Sequence, residues 1–104
     1  MQNILLSWVE SNKEQLALYG FRVKPNGAPQ ISSTSVDIDS NTFVGTITYW
    51  PQDQFEFQFN SCATGEIVIL ETTTIGTEHA LNKYVREELL PKLAASNRGT
   101  KGKG

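Results

Sequence analysis

Three places in this chain carry side-chain types that do chemistry: Cys62, His79, and the pair Asp37 and Asp39. A catalytic thiol needs a base beside it, and a structural zinc needs several His or Cys ligands. Cys62 is the only cysteine and His79 the only histidine, which is too few for a zinc site, and the sequence pairs neither with a recognisable catalytic partner. No nucleophile elbow surrounds any serine. Gly27, Gly45, Gly65 and Gly76 stand singly, without the spacing or the lysine of a phosphate-cradling loop. Asp37 and Asp39 are two apart, which on a strand puts both carboxylates on one face. Such a pair does acid–base work or holds a cation only in a concave, partly buried site. On an open sheet it is solvated. The chain is therefore read as a non-enzyme with no cofactor and no metal. Cys62 is expected to be a small buried or strand-end side chain, and His79 a surface residue near a helix start.

The elements that would position these residues follow from hydrophobic periodicity. Ile4, Leu5, Trp8, Val9, Leu16 and Tyr19 share one side of a helix over 2–19, which Gly20 closes. Phe21-Arg22-Val23-Lys24 alternates as a short strand, and residues 25–35 read as a surface loop. Four further strand runs follow: one around Val36 and Ile38, then Thr42 to Trp50, Gln54 to Asn60 and Glu66 to Thr73. Phe55, Phe57 and Phe59 give the cleanest alternation of all. The connections are too short for crossover helices, so neighbouring strands form antiparallel hairpins. Thr77 is placed to cap a second helix bearing Leu81, Tyr84, Val85 and Leu89, with Glu78 in its first turn. Pro91 is expected to kink or end that helix.

The fold class is thus α+β: a four- to five-stranded antiparallel meander with an N-terminal and a C-terminal helix packed on one face. Residues 1–96 form a single domain, and the Gly- and Lys-rich stretch 97–104 is expected to be a disordered tail. Ile4-Leu5-Leu6 is too short for a signal-peptide core or a membrane span, and one cysteine suits a reducing compartment, so a cytoplasmic, membrane-free protein is expected.

With the helices on one side, alternation leaves the other sheet face wet. If the three Phe point inward, Glu56, Gln58 and Asn60 point outward. Burying Val36 and Ile38 exposes Asp37 and Asp39; burying Phe43, Ile47 and Tyr49 exposes Thr46, Thr48 and Trp50. Asp53, in the turn after Trp50, completes the expected partner-binding set. Acids, amides and hydroxyls around a tryptophan suit protein recognition. Trp50 has a second reading, folded under a loop or over the sheet edge. The stretch 25–82 contains seven acids and no Lys or Arg, which should repel nucleic acid and attract a basic protein surface. Solvation alone is the plainer account of the same acids.

The run Leu6-Ser-Trp8-Val9-Glu10-Ser-Asn12, then Val36-Asp37-Ile38-Asp39, then Phe43-Val-Gly45-Thr-Ile47-Thr-Tyr49-Trp50 resembles the TriTu-type immunity proteins. The Cys62-Ala-Thr-Gly65-Glu66 turn and the closing helix fit the same order, and the likeness spans most of residues 4–90. It implies a bacterial antitoxin in interbacterial competition of the type VI secretion kind. Its partner would be a TreTu effector, an ADP-ribosyltransferase that modifies elongation factor Tu. Inhibition would be stoichiometric, a one-to-one heterodimer occluding the active-site cleft, formed from a free monomer. A rival reading is a secretion chaperone or adaptor holding an extended effector segment along a sheet edge or groove.

Overall fold

The computed structural model describes residues 3–25 and 33–95. Helix α1 (Ile4–Leu18) begins where the Asn3 side chain accepts from the Leu6 N–H at 3.1 Å. It ends in a left-handed Gly20, φ 89°, with Gly20 N donating to Ala17 O and Phe21 N donating to Leu16 O. Those two bonds satisfy carbonyls that the helix end leaves open, and the positive φ favours a residue without Cβ. Leu5, Trp8 and Leu16 are the buried stripe. Tyr19, expected on that stripe, is 57% exposed because it is the capping residue, where the chain leaves the helical path.

Five strands follow: β1 (Arg22–Pro25), β2 (Thr34–Asp39), β3 (Phe43–Trp50), β4 (Gln54–Ser61) and β5 (Ile67–Thr74). They lie side by side in chain order, every pair antiparallel. The loop expected over 25–35 is shorter at both ends, since Pro25 belongs to β1 and Thr34 and Ser35 to β2; its middle lies outside the described residues. The tail expected over 97–104 also lies outside them.

Helix α2 (Glu78–Tyr84) is capped by Thr77, whose hydroxyl accepts from Ala80 N at 3.0 Å. A π-helical turn (Val85–Leu89) continues it, and residues 90–95 are again α-helical. Pro91 therefore does not end the helix. A proline lacks an N–H and crowds the carbonyl four residues earlier. The turn just before it is widened, with Leu90 N reaching back to Val85 O, and this loosening makes room for the ring.

The helices cover one sheet face. The core joins Leu5, Trp8 and Leu16 of α1 with Val36, Ile38, Ile47, Phe55, Phe57, Phe59 and Ile69 of the sheet, and with Leu81, Val85, Leu89 and Leu93. Phe55, Phe57 and Phe59 are at most 1% exposed, so the alternation of β4 was a sound guide. Polar links fix the layers together. Trp8 Nε1 donates to Asn82 Oδ1 at 3.2 Å and Ser7 Oγ to Glu78 Oε1 at 2.7 Å, joining α1 to α2. Glu71, on the helix side of β5, accepts from the Tyr84 hydroxyl and from Lys92.

Candidate protein-docking face

The face away from the helices is laid out by strand register. Residues directly opposite one another in antiparallel strands share a face. One row across the sheet therefore runs Lys24, Asp37, Thr46, Gln58, Leu70. The next runs Arg22, Asp39, Val44, Asn60, Ile67, and a third Ser35, Thr48, Glu56, Thr72. Trp50 stands across from Gln54, and Gln54 from Thr74, at the end of the same face. Eight of the nine residues expected at a docking surface are thus brought together: Asp37, Asp39, Thr46, Thr48, Trp50, Glu56, Gln58 and Asn60. All eight are half-buried, as residues on a packed but uncovered sheet should be.

Asp53 is elsewhere. It sits in the β3–β4 turn with φ 60°, its Oδ1 accepts from the Tyr49 hydroxyl at 3.0 Å, and its backbone oxygen accepts from Ile75 N. These bonds tie the turn to the start of the link into α2. Burial and the neighbouring Asp53 carboxylate both hold the Tyr49 hydroxyl above its usual pKa.

Side-chain bonds link neighbours across the face. Thr46 Oγ1 donates to Asp37 Oδ1 at 3.3 Å, and Ser35 and Thr48 share a hydroxyl bond at 3.0 Å. Gln58 donates to Asn60 at 3.4 Å, Asn60 to Gly65 O at 3.1 Å, and Gln54 to Thr74 at 2.8 Å. Between Asp37, Asp39, Val44, Thr46, Gln58 and Asn60 the surface dips into an open depression of about 380 Å³.

Two features of the face differ from the expectation of a wholly anionic surface. Arg22 and Lys24, both exposed, stand directly across from Asp39 and Asp37, so the acids of β2 are flanked by cations of β1. At the opposite border the face turns apolar: Ile67 is 54% and Leu70 57% exposed, with Val44 at 45% nearer the centre. Charge thus runs from positive at β1, through negative at β2, to a polar middle with Glu56 as its acid, and to a β5 border where Ile67 and Leu70 stand beside Thr72 and Thr74. The alternation Phe21-Arg22-Val23-Lys24 carried the cation signal. It became legible only once β1 was paired with β2.

The remaining chemistry-bearing residues gather into no site. His79 is exposed, and Cys62 is exposed in the β4–β5 turn, where its thiol approaches Ser40 O at 3.8 Å. Cys62 is thus a strand-end residue and not a buried one. Among the described residues no three of His, Cys, Asp and Glu cluster as metal ligands. Among the same residues no helix is long and apolar enough to cross a membrane. A family model described as immunity protein TriTu matches residues 3–89. No curated protein matches the chain.

Proposed function

The chain belongs to the TriTu family of immunity proteins, and from that premise we propose that it neutralises a cognate toxin by laying its uncovered sheet face over the toxin's active-site cleft. An immunity protein acts through its toxin, so the question is which surface meets it. One observation carries the choice: a face with eight polar or aromatic docking candidates in register, held by side-chain bonds, over which no described element packs. Such pre-set polar groups dock with little ordering cost.

The toxin of this reading is an ADP-ribosyltransferase effector, the class implied by the likeness over residues 4–90. Clefts that hold a dinucleotide pyrophosphate are commonly basic. Asp37, Asp39 and Glu56 would meet that lining, while Arg22 and Lys24 would set the orientation by repelling it at one border. Binding near ~1 nM requires about −12 kcal/mol, and a standard interface covers ~800 Å² on each partner. Trp50 and Val44 supply apolar contact within that area. The complex is one-to-one and forms in the cytoplasm, where the toxin's target resides.

The test is a titration. The toxin domain encoded beside this gene is assayed for transfer of ADP-ribose while this protein is added. Activity should vanish at one equivalent. Transferase activity that persists in molar excess of this protein contradicts the proposal.

A further inference from the structure

The two edges of the sheet are guarded differently. β1 has four residues, exposes Arg22 and Lys24, and contains Pro25, which has no N–H to offer. These are the devices that keep a sheet edge from pairing with another chain. β5 has eight residues, no proline and no exposed Lys or Arg, and its guards are milder: a register shift against β4 at Phe59/Asn60 and one charge pointing toward the helices. Its sequence, Ile67-Val-Ile-Leu-Glu-Thr-Thr-Thr74, holds one charge, Glu71, and that lies on the helix side, engaged by Tyr84 and Lys92. On the open side Ile67 and Leu70 are more than half exposed.

β5 has β4 as its one strand neighbour among the described residues. In an antiparallel ladder alternate residues bond to each side. Alternate N–H and C=O groups of β5 therefore face outward, and no described backbone group outside the β4 ladder bonds to them. The chemical complement of that row is an extended backbone. Its side chains toward the open face should be apolar, to meet Ile67 and Leu70.

Resting on the docking reading above, we infer that an extended segment of the toxin adds to β5 as a sixth strand. Continuity selects the toxin over a second copy of this chain. Leu70 stands directly across from Gln58, and Ile67 from Asn60, so a toxin seated on those amides reaches the β5 edge without a gap. A second copy paired at the edge would leave the polar rows bare. Backbone bonds would then supply affinity, and the apolar border would set register.

Hydrogen–deuterium exchange on the complex with the neighbour-encoded toxin domain tests this. Alternate amides of residues 67–74 should exchange at least about tenfold more slowly than in the free protein. An Ile67→Lys/Leu70→Lys variant, its fold checked by circular dichroism, should bind at least about tenfold more weakly. If the complex forms while β5 exchanges as in the free protein, the sixth strand is overturned and the docking face stands. Unchanged affinity of the lysine variant also overturns it. Protection that grows with protein concentration in the absence of toxin names a second copy as the occupant and overturns it too. Failure of any complex to form removes both proposals.

Discussion

Single residues show how tightly the sheet is specified. A Cβ on Gly45 would lie 2.2 Å from Cδ2 of Phe59, whose ring covers the backbone there. Gly45→Ala should therefore cost about 1–3 kcal/mol, the range for overpacking a core, seen as a lower urea midpoint at unchanged slope. Glu71 gives a pH signature. Its bond with Lys92, and then that with Tyr84, hold its carboxyl below the ordinary range. A depressed folded pKa means the stability it brings is present above the unfolded value near 4.5 and drains as pH falls through the folded one. Burial, reinforced by the Glu71 carboxylate, raises the Tyr84 hydroxyl, so its contribution is present below the unfolded value near 10.0 and is lost as pH rises through the folded pKa. Glu71→Gln should flatten the acid limb of a stability-versus-pH profile, and Tyr84→Phe the alkaline limb. A Glu71→Gln profile matching the parent below pH 4.5 would contradict this account. These pairings were not legible in the sequence. Glu71 falls among β-branched residues, and nothing local says that a lysine twenty-one positions later will reach it.

Elements were more legible, because their signals are local. Thr77 capped α2 as its residue type suggested, and Thr77→Ala should lower stability by about 1 kcal/mol in chemical denaturation. The three inward Phe fixed β4, and with short turns on both sides β4 fixed the meander. Pro91 was legible only in part: the helix does not end there, and the disturbance beside the proline takes the form of a π turn. Proline stops a regular helix, but a widened turn ahead of it relieves the crowding, and no sequence pattern marks a π turn. If the turn exists to admit the ring, Pro91→Ala should hold or raise the helical signal at 222 nm. A fall in that signal would show that the proline shapes the segment in some other way. Tyr19 failed for the reverse reason: it keeps helical spacing but lies at the cap, where spacing no longer sets direction.

At the scale of the whole molecule, the candidate face was readable as a set of alternating positions and unreadable as a charge map. Asp37, Asp39, Thr46, Thr48, Glu56, Gln58 and Asn60 follow from period two. The sign of the surface needed the pairing of β1 with β2, which brings Arg22 and Lys24 beside the acids. The long acidic stretch therefore overstates the field a partner feels. Association with a basic cleft should slow only modestly as salt rises through ~0.15 M, where screening shortens to ~8 Å. A steep fall in on-rate would mean the acids act without their neighbouring cations. The central claim, that this face meets the toxin, is tested most directly by calorimetric titration of the neighbour-encoded toxin domain with a Thr46→Arg/Gln58→Arg variant. Both positions lie mid-face in adjacent strands and are half-buried, with Glu87→Arg on the exposed side of the C-terminal helix as control. Loss of at least about a hundredfold in affinity, some 3 kcal/mol, is the expected result, with the control unchanged. Parent-like binding by the folded double variant would show that the toxin docks elsewhere.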